Sequence, residues 1–305
     1  MNENLVLCCF ATKMNAGGYN MIQTLRLHNW NYQIIGMGQK WAGWTTRMQA
    51  YIDFARQQED PRTIIIFVDC YDVLTLRGPA GFIEDFLSFD ADIVISASEM
   101  CSPWNCLTTK QYWKDIKKLP IDTNYKYTNG GYLCGRAFAL AEMYDWGLKN
   151  GHTDDQRFLG AYINAFPNLR IKLDSDKVLA FNDSTDTLLK KPGFAMVNNK
   201  VQITANNRVI TPYFVHFPGF LVFPTLHFFA KSPKRSQLGN YNFVAQNLLK
   251  NEFMQIGQVD GRANTGRIVT FWILIALIIL LSLLLIFSSG LHHKRNREYK
   301  SKKMY

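Results

Sequence analysis

The sequence predicts an α/β protein whose sheet is flanked by helices, followed near the C-terminus by one transmembrane helix. Strand-like and helix-like segments alternate over the N-terminal third of the chain, which is the pattern of a nucleotide-binding βαβ unit. Residues 64–68 form a continuous, largely β-branched apolar run, typical of a central strand covered on both faces. Residues 268–287 are apolar apart from Thr270 and Ser282, and as a helix they match the thickness of a bilayer core.

The individual elements follow from the hydrophobic pattern. Short apolar runs bounded by Gly, Pro, Asn or Asp predict strands, and longer segments between them predict helices. The predicted strands cover residues 5–10, 32–37, 64–69, 93–97, 132–134, 171–173 and 212–216. The predicted helices cover residues 19–28, 46–57, 84–89 and 137–148, and a further one begins at Asp154 and ends at Ala165. Residues 123–131 are predicted to form a loop.

Composition favours one folded domain with a short appendage. The chain has 305 residues, 48% of them hydrophobic and 14% aromatic, so it can bury one large core. The predicted organisation is a domain at 1–250, a linker at 251–267, the membrane span at 268–287 and a basic tail at 288–305. A globular helix would show a polar face with a period of 3.6 residues, and the predicted span shows none.

Half of the net charge of +10 lies in the C-terminal tail. Residues 291–305 contain six Lys and Arg residues and one acidic residue, Glu298. Such a cluster beside a span is better explained by anionic lipid headgroups than by nucleic acid, so the bilayer is an expected partner and nucleic acid is not. The N-terminus lacks the positive region of a signal peptide, which favours a cytosolic domain. The basic tail argues for the alternative orientation, with the domain in the secretory lumen. Insertion from the C-terminal end would reconcile the missing signal with the tail, so the expectation is a cytosolic domain.

The cysteines do not decide the compartment. Six cysteines in 305 residues are too sparse for a disulfide scaffold and lack the Cys-x-x-Cys spacing of a zinc site. The sequon Asn182-Asp183-Ser184 would report a lumenal location only if it carried a glycan.

Two carboxylates directly follow the central strand. Asp69 ends the apolar run, and Asp72 follows it by three residues, so the two can converge if the chain turns. Ligands of α/β sheets bind at the carboxyl ends of strands, and paired carboxylates suit Mg²⁺ or Mn²⁺. The alternative interpretation is that the pair only caps a turn before Gly78-Pro79.

Six short motifs follow one another along the chain. Their order identifies a protein family more specifically than any one motif does. The motifs are Gly36-Met-Gly-Gln-Lys-Trp41, Asp69-x-x-Asp72, Tyr127-Thr-Asn-Gly-Gly131, Thr153-Asp-Asp-Gln156, Pro212-Tyr-Phe-Val-His-Phe-Pro-Gly219 and Leu238-Gly-Asn-Tyr241. With this series the chain resembles the glycosyltransferase domain of the procollagen lysyl hydroxylases over about residues 4–245. That family has a GT-A fold, a mixed sheet flanked by helices, and transfers a hexose from a UDP-sugar with Mn²⁺.

The resemblance implies a metal site and a donor site. The metal ligands it implies are Asp69, Asp72 and His216, for Mn²⁺ or alternatively Mg²⁺. The UDP-sugar contacts it implies are Thr12, Arg47 (where the family has a Lys), Tyr71 on the uracil, Gly130 and Gly219. On the donor-sugar side it implies Asn129, Asp154 and Asp155 as catalytic residues. Without the resemblance, Asp154 and Asp155 are ordinary helix-start residues and Tyr71 is equally well a core aromatic.

The segment after His216 departs from the family pattern. The family has His-Gly-Asn-Gly and a Lys soon after, whereas this chain has His216-Phe-Pro-Gly219 and no Lys before Lys231. A diphosphate contact is therefore missing or supplied elsewhere.

Three functions fit these residues. The expected one is metal-dependent transfer of a hexose from UDP-glucose or UDP-galactose to an acceptor hydroxyl on a protein or glycan, hydroxylysine-like by analogy with the family. The first alternative is a catalytically weak, membrane-anchored nucleotide-sugar-binding or scaffold protein, favoured by the altered segment. The second is a nucleotidyl or phosphoryl transferase, disfavoured because the sequence lacks a glycine-rich phosphate loop.

Overall fold

The computed structural model describes residues 4–98, 127–166, 170–182, 193–197, 200–205 and 208–216. All of them belong to the first of two compact units, Met1–Leu249. The predicted span and basic tail belong to the second unit, Lys250–Tyr305, which lies outside the described residues. Among the described residues, no helix has both the length and the apolar character needed to cross a bilayer. The predicted linker, span and tail therefore stay predictions.

The described residues form twelve strands and five helices. The strands are β1 (Leu5–Phe10), β2 (Tyr32–Ile35), β3 (Ile64–Asp69), β4 (Val73–Thr75), β5 (Ile93–Ser98), β6 (Tyr127–Arg136), β7 (Ile171–Asp174), β8 (Ala180–Asn182), β9 (Gly193–Val197), β10 (Lys200–Ala205), β11 (Arg208–Ile210) and β12 (Phe214–His216). The helices are α1 (Ala16–Leu27), α2 (Trp44–Arg56), α3 (Phe82–Ser88), α4 (Ala137–Lys149) and α5 (Arg157–Ala165).

A six-stranded sheet in the order β2-β1-β3-β6-β5-β7 forms the centre of the fold. Strand β1 pairs in parallel with β2 and β3, and β5 pairs in parallel with β7. Strand β6 is antiparallel to both of its neighbours, β3 and β5. The mixed α/β architecture expected from the sequence is confirmed.

Strand β3 supplies both hydrophobic cores, as a strand covered on both faces must. Ile65 and Phe67 pack on one face against residues of α2, α4 and α5. Ile64, Ile66 and Val68 pack on the other face against residues of α1, α3 and the strands β4, β8 and β12. Because side chains alternate across a strand, a run without polar residues can feed two cores at once.

The predicted loop at 123–131 is wrong for residues 127–131, which belong to β6. This strand is held on both sides, since Tyr132 pairs with Val68 of β3 and Tyr127 pairs with Ser98 of β5. Its register with β5 shifts between Ile95 and Ser96, which pair with Leu133 and Asn129, so the two glycines lie at the irregularity between two paired segments. Pairing on either side of this point outweighs the low strand propensity of Asn and Gly.

A second sheet, in the order β4-β12-β8, builds the edge where β3 ends. Strand β12 is antiparallel to β4 and parallel to β8. None of the described strands β4, β8, β9, β10 and β11 was predicted. Strands β4 and β8 have three residues each and are stabilised by pairing with the distant β12, whereas β9, β10 and β11 pair with one another. Strands β9, β10 and β11 form a third, antiparallel sheet.

The turn between β7 and β8 joins the central sheet to the second sheet and depends on one buried carboxylate. Asp174 accepts hydrogen bonds from the backbone N–H groups of Val178, Leu179 and Ala180, at 2.8, 2.9 and 2.9 Å. Burial raises the pKa of Asp174, and these hydrogen bonds oppose that rise. The N–H groups of Leu179 and Ala180 are buried and would lack a hydrogen-bond acceptor without this carboxylate, so Asp174 fixes the position of β8.

We expect Asp174→Ala to lower the free energy of unfolding by about 2–5 kcal/mol, because it leaves buried backbone donors unsatisfied. The matched control is Asp176→Ala in the same turn, which removes only an exposed ion pair with Arg208 and should cost about 1 kcal/mol or less. Urea unfolding followed by circular dichroism measures both. Equal losses in the two variants would contradict the structural role of Asp174.

Candidate metal centre

Three side chains with metal-ligating atoms converge at the carboxyl end of β3. Asp69, Asp72 and His216 each offer one ligand atom within 4.8 Å of the others. His216 Nε2 lies 3.5 Å from Asp72 Oδ2 and 3.7 Å from Asp69 Oδ2. The structure thus brings together the three residues that the sequence nominated as ligands.

Strand register explains this convergence. Asp69 is the last residue of β3, and the chain turns at once into β4, which begins next to Asp72. In the second sheet, His216 is paired with Val73 on one side and with Asn182 on the other. The imidazole is therefore fixed beside the Asp69–Asp72 turn by two strand pairings.

Gly131 of β6 leaves the space that the imidazole fills. A Cβ atom at this position would lie 2.0 Å from His216 Cε1 and 2.4 Å from Nε2. Gly131 is held in the strand by its own N–H, which donates to Asn129 Oδ1 at 2.9 Å. Only glycine allows the ring to lie against the strand, which gives the second glycine of the Asn-Gly-Gly motif a steric function.

The ring nitrogens of His216 have different environments. Nδ1 lies 2.9 Å from Asn182 Oδ1, whereas Nε2 is buried and has no hydrogen-bond partner among the described residues. A buried polar atom without a partner is costly, and its position between two carboxylates is where a cation would satisfy it. Two carboxylates and one imidazole suit Mn²⁺, so these residues fit the metal that the family resemblance implies.

Arg47 is the positive group of the centre. Its guanidinium is buried and forms ion pairs with Asp69 through Oδ1 and with Asp155 through Oδ2, while its Cζ lies 4.7 Å from the centre of the Trp44 ring. The guanidinium binds two of the three carboxylates of the centre, and the third, Asp72, lies beside His216, so the centre has excess negative charge when His216 is neutral. That charge is complementary to a divalent cation.

Burial and the charges of the centre shift several pKa values, among them that of Asp72, which burial raises. Burial raises the pKa of Asp155 to about 6, although Arg47 opposes the shift. Burial lowers the pKa of His216, but Asp72 and then Asp69 raise it by more, so the net pKa is above the ordinary histidine value. Without a cation, His216 therefore holds a proton more tightly than a free histidine does.

The structure separates the two neighbouring aspartates of the Thr-Asp-Asp-Gln motif. Asp155 is buried and bound to Arg47, next to the metal ligands. Asp154 Oδ1 accepts hydrogen bonds from the backbone N–H groups of Gln156 and Arg157, at 3.0 and 2.9 Å, and so caps α5. The capping interpretation therefore applies to Asp154, and Asp155 belongs to the centre.

Three of the predicted donor contacts make hydrogen bonds within the protein. Tyr71 donates its hydroxyl hydrogen bond to the carbonyl of Lys13 at 2.8 Å and closes the loop after β1. In that loop the Thr12 carbonyl accepts from Gly38 N at 2.9 Å. Gly130 N donates to Gln156 Oε1 at 3.3 Å. Gly219 lies outside the described residues, and the predicted nucleotide roles stay predictions.

Sequence reasoning missed Asn182 as a functional residue, since it attracted notice only as part of a sequon. Asn182 is 2% exposed, and its Nδ2 donates to Ser96 Oγ and to the carbonyl of Ala97. A glycan on this nitrogen is incompatible with the folded centre. The sequon therefore cannot report the compartment of the folded domain, which stays a prediction.

A mixed sheet with Asp69, Asp72 and His216 converging at its edge defines an α/β protein with a candidate site for a divalent cation. The family model described as the PLOD GT domain matches residues 1–220. The chain therefore belongs to the family of glycosyltransferase domains of the procollagen lysyl hydroxylases.

Individual relatives are distant. The uncharacterized protein R699 of Acanthamoeba polyphaga mimivirus is 31% identical over 140 residues, which are 43% of this chain and 29% of that protein. Mouse procollagen-lysine,2-oxoglutarate 5-dioxygenase 2 is 23% identical over 62% of this chain and 27% of its own length. Human procollagen lysine hydroxylase and glycosyltransferase LH3 is 24% identical over 56% and 23%. The match thus spans less than a third of each of these relatives.

Two solved structures show weaker likeness. Mouse xyloside xylosyltransferase 1 in its apo form is 13% identical, with a TM-score of 0.46 over 72% of this chain and 98% of that one. A glycosyltransferase involved in glycosylation of the major capsid of PBCV-1 is 11% identical, with a TM-score of 0.42 over 80% and 99%.

We expect Gly131→Ala to weaken Mn²⁺ binding by about tenfold or more, because the new Cβ must displace the His216 ring. Gly130→Ala is the matched control. Its Cβ would meet Asp155 O and Gln156 Cβ at 3.4 Å, which is ordinary contact, so affinity should change by about threefold or less. Isothermal titration with Mn²⁺, without nucleotide, measures both. Wild-type affinity in Gly131→Ala would disprove the steric role.

Proposed function

We propose that this chain is a metal-dependent glycosyltransferase that moves a hexose from UDP-glucose or UDP-galactose to an acceptor hydroxyl. The observation that carries the proposal is the buried, unpartnered Nε2 of His216 facing Asp69 and Asp72, in a chain of a glycosyltransferase-domain family. Lysyl hydroxylase relatives make a hydroxylysine-like acceptor the first choice to test, by analogy alone.

Asp69, Asp72 and His216 would hold Mn²⁺, or alternatively Mg²⁺. When bound, the cation supplies Lewis-acid stabilisation of the negative charge that develops on the departing UDP. The two carboxylates contribute the anionic oxygens that either cation requires, and the imidazole favours Mn²⁺ over Mg²⁺.

Arg47 orients one of these ligands. It binds Asp69 through Oδ1, which leaves Oδ2 directed toward His216. Because the same guanidinium also binds Asp155, the ligand carboxylate and the third carboxylate are held at a fixed separation. A cationic group at this position also offers a contact for a donor diphosphate, where the family has a Lys.

Asp155 is the better candidate of the two aspartates for proton chemistry or for orienting the acceptor hydroxyl. Its pKa of about 6 allows it to exchange a proton near neutral pH, and its side chain lies in the centre. Asp154 is engaged by backbone donors at the start of α5. We therefore assign the catalytic contribution of this motif to Asp155.

We expect Asp69→Ala and Asp72→Asn to reduce Mn²⁺-dependent release of UDP by about 100-fold or more, since a ligand carries several kcal/mol of charge stabilisation. The matched control is Asp53→Ala, an exposed aspartate on α2, the helix that carries Arg47. The assay screens UDP-glucose, UDP-galactose and other nucleotide sugars, with Mn²⁺ or with EDTA. Donor binding without any turnover would favour the alternative, a nucleotide-sugar-binding protein, and turnover unaffected by EDTA would reject the metal site.

We expect the apparent affinity for Mn²⁺ to fall as pH decreases, because a cation can bind only to deprotonated Nε2. The pKa of His216 is raised, so the decline should begin above the ordinary histidine pKa of about 6.5 and approach tenfold per pH unit. Titrations between about pH 5.5 and 8.5 measure it.

Asp155 titrates in the same range, so Asp155→Asn is the control that removes its contribution and leaves those of His216 and of Asp72, whose pKa burial also raises. An affinity independent of pH in that control would exclude His216 as a ligand.

A further inference from the structure

We infer that Asn182 is a positioning residue of the metal centre, because its side-chain amide fixes His216 in the tautomer that presents a free Nε2 to Asp69 and Asp72. The inference rests on the proposed metal-dependent function. It concerns a residue outside the family motifs by which the site was recognised.

Backbone pairing brings the two side chains together. Strands β8 and β12 run in parallel, and Asn182 and His216 are the paired residues at the end of both. Both side chains are buried, at 2% exposure each. Their contact is therefore shielded from water, which cannot substitute for either partner.

The surroundings of the asparagine determine which way its amide faces. Nδ2 lies 2.9 Å from the carbonyl oxygen of Ala97 and also donates to Ser96 Oγ. A carbonyl oxygen can only accept, so the amide nitrogen must face Ala97 and Oδ1 must face the histidine.

This orientation assigns the proton on the imidazole. Oδ1 of Asn182 is an acceptor and lies 2.9 Å from His216 Nδ1, so Nδ1 carries the proton and donates it. In the neutral ring Nε2 then holds the lone pair. That is the atom directed at Asp69 Oδ2 and Asp72 Oδ2.

The two carboxylates alone would favour the opposite tautomer. In the absence of a cation, a neutral imidazole next to Asp69 and Asp72 gains most by placing its proton on Nε2 and donating to an oxygen 3.5 Å away. A cation would then have to displace that proton and force a change of tautomer. Asn182 removes this competition, because donation from Nδ1 to Oδ1 is available only to the tautomer that binds a metal.

The test uses full-length protein labelled with ¹⁵N-histidine, free of metal and held at about pH 9 to populate the neutral ring. The ¹⁵N shifts and ring couplings report which nitrogen carries the proton, and His216→Gln identifies the resonances. We expect protonated Nδ1 in the wild type. The variants are Asn182→Ala, which removes the acceptor, Asn182→Asp, which keeps it, and Ser96→Ala, which removes only a partner of Nδ2.

We expect Asn182→Ala to move the proton to Nε2 and to weaken Mn²⁺ binding at pH 7.5 by about 10–100-fold. Asn182→Asp should keep the proton on Nδ1 and rescue most of the affinity, even though loss of the Nδ2 donors lowers its thermal stability. Ser96→Ala should leave both the tautomer and the affinity unchanged within about threefold. A merely structural Asn182 would instead make affinity follow thermal stability across the three variants.

Protonated Nε2 in the neutral ring of the wild type overturns the inference, and this measurement needs no variant. An unchanged tautomer and affinity in Asn182→Ala overturns it as well. Failure of the proposed function looks different: the wild type would show protonated Nδ1 but would bind no Mn²⁺ and release no UDP.

Discussion

The position of the buried His216 imidazole between two carboxylates is the constraint around which this edge of the protein is built. In the neutral ring Nε2 has no hydrogen-bond partner among the described residues, which costs about 1–3 kcal/mol, so other interactions must fix the ring. Here Gly131 leaves the space for the ring, Asn182 holds Nδ1, and pairing with β4 and β8 fixes the backbone of His216. The cost becomes a favourable contribution once a cation occupies the position facing Nε2.

The same edge concentrates negative charge, and Arg47 explains why the metal-free fold tolerates it. Its Nε and Nη2 atoms engage Asp155 while Nη1 engages Asp69, so one planar group serves two carboxylates from different elements. An ammonium group is a point charge and cannot span two carboxylates with the same fixed geometry. The replacement of the family Lys by Arg therefore suits a centre in which this residue also acts as a structural bridge.

The sequence predicted those parts of the fold and site that depend on short runs of neighbouring residues or on the order of short motifs. The apolar run ending at Asp69 identified the central strand and its functional end, and motif order identified Asp72 and His216 as its partners. Residues whose function depends on a distant neighbour were not recognisable. Gly131 matters because of a ring 85 positions away, and the orientation of Asn182 depends on Ala97, 85 positions away in the other direction. The extent of β6 was misjudged for the same reason, since its residues 127–129 are held in the strand by pairing with Ser96–Ser98 of β5.

The second sheet couples the stability of the fold to the metal centre. Its strands β4, β12 and β8 come from segments far apart in the chain, so the centre exists only after long-range pairing is complete. Asp174 fixes the turn that precedes β8, and β8 carries Asn182, the hydrogen-bond acceptor for His216. A buried carboxylate outside the centre therefore helps to determine the tautomer of His216. A cation that binds only the folded arrangement stabilises the whole sheet by mass action. Strand pairing fixes the backbone of His216, whereas Gly131 and the Asn182 side chain fix its ring, so metal affinity can change in variants that keep the sheet.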